Sequence, residues 1–262
     1  MLLKYKTFGS ESNITKIPLF ILHGLLGSMD NWRTQAKRLS ENRQVYTLDL
    51  RNHGSSPHLK GMSYREMYED VIEVIRHENL EEVHLLGHSM GGKVAMQLAL
   101  AQASFIKSLI VVDIAPKPYP LWHQKTLHAV INAPVTTMNS RQDVDNYLKP
   151  SIEDATERSF MIKNLKRNKD ADGFSWRCNL QEISRGYLKI AGFSTALEQF
   201  PDSTLFIRGE DSNYINESDQ PLIQNLFPKA EIFSINRSGH LPHIQQADHF
   251  FEMVNTFLIT KE

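Results

Sequence analysis

Gly87-His88-Ser89-Met90-Gly91 places a hydroxyl between small residues, where one kind of segment gives way to another. Upstream, Glu82-Val83-His84-Leu85-Leu86 reads as a short buried strand; downstream, residues 92–102 (Gly-Lys-Val-Ala-Met-Gln-Leu-Ala-Leu-Ala-Gln) read as a helix. A serine on the sharp turn between strand and helix is a nucleophile elbow. The bend pushes the hydroxyl out of the sheet, and the flanking glycines remove side chains that would clash. The five-residue pattern is unspecific by itself. Its placement on a strand–turn–helix makes Ser89 a candidate nucleophile.

A serine hydroxyl is a weak nucleophile at neutral pH, so a base must take its proton and a third group must hold that base. Of 11 histidines, His240 in Ser238-Gly239-His240-Leu241-Pro242 stands between the last expected strand and the last helix. That loop belongs at the same sheet edge as the elbow, which makes His240 the candidate base. His243, His58, His77, His123, His128 and His249 read as surface or cap-packing residues, and His84 as a core or edge histidine of its strand. The oxyanion of an acyl-transfer reaction needs backbone donors. The glycine-rich His23-Gly24-Leu25-Leu26-Gly27-Ser28 turn follows a strand, so the amides of Leu25 and of Met90 are the expected pair. His23 is expected to brace that loop, and His88 to line the floor of the site.

These groups need a scaffold that brings distant segments to one edge. A first strand is expected around Leu3-Tyr5-Thr7. Residues 17–22 and 45–50 are apolar enough to be buried on both faces, as parallel strands are. Ser63-Tyr64-Arg65-Glu66 is a capping box, opening a helix whose apolar face is Tyr64, Met67, Tyr68, Val71, Ile72 and Ile75. Strands follow at 109–112, 204–207 and 232–235, and a last helix carries Phe250, Phe251, Val254, Phe257 and Leu258. Such alternation predicts an α/β chain with a mostly parallel sheet wrapped by helices. Between about 117 and 200 no strand run is visible and the sequence is helical and charge-rich. It is expected to be a helical cap, residues 117–200, over the C-terminal edge of a core made of 1–116 and 201–262, the edge where open α/β sheets bind ligands.

Composition narrows the class. The chain has 262 residues, enough for one large α/β domain, and its 29 Lys plus Arg nearly balance 30 Asp plus Glu. No nucleic-acid footprint follows from that balance. The apolar run at 17–26 is interrupted and too short to span a bilayer, so no membrane insertion is expected. One cysteine, Cys178, excludes an internal disulfide or a cysteine metal cluster. It is expected to be a partly buried thiol without a role, in a cytoplasmic protein.

Taken together, His23-Gly24, Asp49-Leu50-Arg51-Asn52-His53-Gly54-Ser55-Ser56, Gly87 to Gly92, Asp113-Ile114-Ala115-Pro116 and Gly239-His240 resemble the α/β-hydrolase superfamily along nearly the whole chain. Within it, His23 to Ser28, Arg51-Asn52-His53-Gly54, Gly87 to Lys93 and Trp176-Arg177 are similar to the bacterial YbfF-type esterases. The resemblance implies an eight-stranded sheet with a helical cap, no metal or organic cofactor, and hydrolysis of carboxylic esters or acyl thioesters. It leaves two carboxylates for the third role. Asp211 follows the 204–207 strand, where the superfamily usually keeps its acid, but the usual spacing falls on Ser212. Asp113 ends the preceding strand, a position that some members use. Asp113 is preferred, with Asp211 the alternative and Ser212 a possible assistant. Asp49 is expected to fix the Arg51–Gly54 turn.

The expected function is a serine hydrolase of small to medium acyl esters or thioesters. The amides of Leu25 and Met90 would hold the oxyanion while Ser89, His240 and Asp113 do the proton work. Cleavage of carbon–carbon bonds on the same fold is the alternative, and a ligand-binding receptor that lost its chemistry is a third. Trp122, Trp176, Tyr187 and Phe193 are candidate pocket residues of the cap, beside His88. Acyl length, leaving group and oligomeric state are not encoded in these patterns.

Overall fold

The computed structural model describes residues 1–9, 16–101, 103–194 and 198–261. In chain order the core begins with β1 (Tyr5–Phe8), β2 (Leu19–Leu22), α1 (Arg33–Leu39), β3 (Val45–Leu48), α2 (Tyr64–His77), β4 (Val83–His88), α3 (Met90–Ala101) and β5 (Ile106–Val112). The segment that follows carries α4 (Gln124–Asn132), α5 (Arg141–Leu148), α6 (Ala155–Ile162), β6 (Leu165–Arg167), β7 (Phe174–Trp176) and α7 (Leu180–Ala191). The core resumes with β8 (Thr204–Gly209), α8 (Gln220–Leu226), β9 (Ala230–Ile235), α9 (Pro242–Gln245) and α10 (Ala247–Ile259).

The fully apolar runs become the middle of the sheet, whose order is β1-β3-β2-β4-β5-β8-β9. Only β1 runs antiparallel. Successive side chains of a strand face opposite ways, so each strand feeds two cores. Leu85, Leu109 and Val111 pack with Val71 and Ile75 of α2 and Val94 and Leu98 of α3. Leu86, Ile110 and Val112 pack with Leu39 of α1 and Phe250 and Val254 of α10. The α2 start is as the capping box predicts: Ser63 accepts from the Glu66 N–H, and the Glu66 carboxylate accepts from the Ser63 N–H.

Two expectations are corrected. Among the described residues the main sheet has seven strands, not the eight that the resemblance implied. The 117–200 stretch, expected to be free of strands, holds an antiparallel pair, β6 and β7, in register from Leu165↔Trp176 to Arg167↔Phe174. Each has three residues, too few for a period of two to show in sequence. No helix among the described residues is long and apolar enough to cross a membrane.

Candidate active site

Parallel strands end at one edge, and β4 and β5 end there side by side, His88 opposite Val112. Ser89 follows at φ 53°, in the left-handed region that a non-glycine residue occupies only when its surroundings enforce it. The Ser89 N–H donates to the Val112 carbonyl and the Ser89 carbonyl accepts the Lys93 N–H, so the residue is pinned between sheet and helix. Gly91 allows the approach: a Cβ there would stand 2.5 Å from the carbonyl oxygens of Leu22 and His23.

His240 lies in the loop between β9 and α9. Its Nε2 is 2.9 Å from Ser89 Oγ, and its Nδ1 is 2.8 Å from Asp113 Oδ2. A carboxylate only accepts, so Nδ1 carries the proton and Nε2 is free to accept from the serine. Asp113 follows β5 at φ 51° and is fully buried. Its Oδ1 accepts the Gly209 N–H at 3.0 Å, and its Oδ2 also accepts the Ser212 hydroxyl. Ser212 therefore bonds the aspartate rather than the histidine. Asp211 is exposed, its backbone N–H donating to the Ser238 carbonyl.

The imidazole is held on two sides. Tyr214 stacks on it, ring centroids 3.8 Å apart and planes at 18°. The His88 ring lies 4.7 Å from it and donates its Nε2–H to the His240 carbonyl at 2.7 Å, and His243, 4.8 Å from His88, stacks on Trp32 at 4.2 Å. His243 is thus buried, against the expectation of a surface or cap residue, because Trp32 offers it an aromatic face.

The loop after β2 comes close to Ser89: a Cβ on Gly24 would stand 3.3 Å from that of Ser89. The Gly24 carbonyl accepts from the His23 ring at 2.8 Å and from the Gly27 N–H at 3.0 Å. That carbonyl shares a rigid peptide plane with the Leu25 N–H, so fixing one aims the other. His23 also accepts the Leu50 N–H at 3.0 Å, the bracing expected of it. Asp49 accepts from the backbone N–H groups of Met29 and Ser55 at 2.7 Å each, holding the turn after β3. Cys178 is buried, and burial pushes its thiol up to about 12.

Burial also keeps several imidazoles neutral. It lowers His23 to about 4 and His53, His84 and His243 to about 3. On unfolding these groups regain an ordinary histidine affinity for protons, about 6.5. Their contribution is complete above that value and is lost as pH falls from it towards 3–4, at up to about 1.4 kcal/mol per proton per pH unit. The urea midpoint should accordingly drop steeply between pH 6.5 and pH 4. A flat midpoint over that range would show that these rings are not buried neutral.

Two cavities meet at Ser89, sharing Leu25, His123 and Tyr214 as walls. The narrow arm, about 40 Å³, is walled by Met90, Ile114, Trp122, Tyr187, Ile190 and Ala191, with Lys93 among them. The wide arm, about 190 Å³, is walled by His88, Glu157, Phe160, Met161, His240 and Gln245. Of the candidate pocket residues, His88, Trp122 and Tyr187 therefore line the cavities. Trp176 and Phe193 do not: both pack half-buried against the apolar core. Tyr214, His123 and Lys93 were not legible as pocket residues. His123, its Nε2 2.8 Å from the Tyr214 hydroxyl, faces the cavity, where burial lowers it to about 4.

The sequence model of the α/β hydrolase fold matches residues 17–247. A solved structure described as a marine microorganism esterase superposes with a TM-score of 0.93 at 37% identity, covering 98% of this chain and 99% of that one. The sn-1-specific diacylglycerol lipase ABHD11 of Mus musculus is 35% identical, over 95% of this chain and 83% of its own length. Esterase YbfF of Escherichia coli is 27% identical, over 98% and 99%.

Proposed function

The chain belongs to the α/β hydrolase fold family and is a carboxylic ester hydrolase; from that premise we propose that it works through Ser89, His240 and Asp113 and a covalent acyl-enzyme. The observation that carries the reading is the unbroken run of hydrogen bonds from Ser89 Oγ through His240 to Asp113. His240 Nε2 takes the serine proton as Oγ attacks the ester carbonyl, and the imidazolium that forms faces the Asp113 carboxylate. The amides of Leu25 and Met90 receive the oxyanion. The tetrahedral intermediate collapses, the alkoxide leaves with the proton from His240, and water repeats the sequence to free the acid.

The proton sets the direction in which substrate lies. His240 must deliver it to the leaving group, so the leaving group occupies the wide arm, whose wall includes His240. The acyl group then enters the narrow apolar arm. The substrate class is an ester of a short acyl group with a bulkier alcohol, and acyl thioesters suit the same acyl-enzyme chemistry. Residues 117–200 serve as the cap on a core of 1–116 and 201–262. A single buried Cys178 supports a reducing compartment, the cytoplasm.

A fluorophosphonate should label the protein at one residue, Ser89, and peptide mapping should find the adduct there. With one leaving group, kcat/KM should fall at least about tenfold from acetyl to octanoyl, as expected when methylenes exceed a fitted apolar pocket. Labelling at another residue would remove Ser89 from the mechanism, and a preference for octanoyl would reverse the two arms.

A further inference from the structure

Lys93 lies one helical turn beyond Ser89 on α3, is 2% exposed, and points into the cap. Its Nζ donates to the carbonyls of Ala191 and Gly192, both at 2.9 Å, and lies 3.5 Å from that of Ile190. These carbonyls close α7, where the last turn of a helix has no intrahelical donors and carries the negative end of the dipole. Three N–H groups of an ammonium meet three such acceptors. The Tyr119 ring adds a face 4.8 Å from Nζ, and the Tyr119 N–H donates to Ala191 as well. A lysine is an expensive filling for this place, since burial lowers its pKa to about 7 and methionine would pack there without that penalty. One turn further along α3, Gln97 Nε2 donates to the Ser194 carbonyl at 2.8 Å. An i, i+4 pair on one helix face therefore clips the chain that leaves α7.

The clipped residues are also walls. Ile190 and Ala191 line the narrow arm together with Ser89 and Met90, so the helix that opens at the nucleophile also fixes a second wall of the cavity. We propose that Lys93 is a specificity-determining residue: by tying the end of α7 to α3 it sets the depth of the narrow arm, and so the longest acyl chain that Ser89 accepts. The proposal rests on the assignment of the narrow arm to the acyl group. Lys93 takes no part in proton transfer, since its N–H groups are turned to the α7 carbonyls.

Lys93→Met keeps an unbranched stem of about the same bulk, one atom shorter, and removes its donors. Purified full-length variant and parent would be compared on p-nitrophenyl acetate, butyrate and octanoate. The octanoate-to-acetate ratio of kcat/KM should rise about tenfold, mainly through a lower KM for octanoate, a range that a few methylenes in an apolar pocket can supply. Hydrogen exchange at residues 188–194 should quicken in parallel. Gln97→Leu loosens the same segment from outside the cavity and should shift both readouts the same way by less; it decides the matter alone if Lys93→Met does not fold. An unchanged ratio in both variants overturns the proposal, and exchange then tells which premise failed. Quickened exchange means that the clip exists but the narrow arm is not the acyl site, so the substrate orientation falls with it. Unchanged exchange means that there is no clip, and the orientation stands. A shifted ratio in Lys93→Met alone, without quickened exchange, also overturns it, because Lys93 then acts only as a wall.

Discussion

Replacing Ser89 by alanine is expected to lower kcat by about 10⁵–10⁶, the scale on which loss of a triad serine acts. The loss is this large because no other oxygen stands where Ser89 Oγ does, 2.9 Å from the nitrogen that would take its proton. Removing His240 as well should add little, since base and nucleophile work as one unit. Residual rate over water would come from the Leu25 and Met90 amides and from binding alone. Folding should be close to unchanged: Ser89 is held by backbone hydrogen bonds to Val112 and Lys93 that alanine keeps. Alanine at φ 53° carries the same strain that serine already bears there. Thermal unfolding and ester turnover would be measured on the same preparation. A variant with a tenth of the parental activity and an unaltered melting temperature would end the acyl-enzyme mechanism at this serine.

Ser89 and His240 are legible in the sequence because each is marked locally. The elbow is a strand, a turn and a helix within about 20 residues, and His240 sits in a short loop whose flanking strand and helix are both visible. Local signals also carried α2 and most of the sheet. What stayed hidden depends on long-range packing. Tyr214 is an ordinary aromatic residue in the loop after β8 until the fold lays it on His240, and His123 reads as a surface or cap residue until the fold sets it against Tyr214. His243 is buried because Trp32, more than 200 residues away in sequence, stacks on it. Lys93 was visible as part of a motif, but its partners are backbone carbonyls of α7, and no residue type advertises those. Trp176 and Phe193 erred in the opposite direction: aromatic character marked them as lining, whereas an aromatic side chain in a small packed unit is as readily its core.

The carboxylate was the open point, and substitution of the two aspartates should separate them by a wide margin. Asp113→Asn is expected to lower kcat by about 10³–10⁴, as loss of the residue behind a catalytic histidine does. With its amide oxygen toward Nδ1, asparagine sets its NH₂ against the Gly209 N–H, donor against donor. The opposite rotamer keeps an acceptor for the Gly209 N–H, and the Ser212 hydroxyl can turn to accept, so that rotamer is the better satisfied one. An asparagine turned with its NH₂ toward His240 would force the other tautomer, with the proton on Nε2 and no lone pair left for Ser89. Asp211→Asn should cost tenfold or less, because that side chain is exposed and the backbone N–H that bonds Ser238 is untouched. Ser212→Ala removes one of the two donors to Oδ2 and should fall between them. The usual spacing after Gly209 falls on Ser212, so Asp211 is offered only by its place after β8, whereas geometry decides which carboxylate reaches His240. Asp113 follows β5 at φ 51° with its carboxylate on His240, whereas Asp211, in the turn after β8, meets that loop through its backbone N–H. If Asp211→Asn were the crippled variant and Asp113→Asn the active one, the hydrogen bond at 2.8 Å would be structural and the acid would have to reach His240 in another arrangement of that loop.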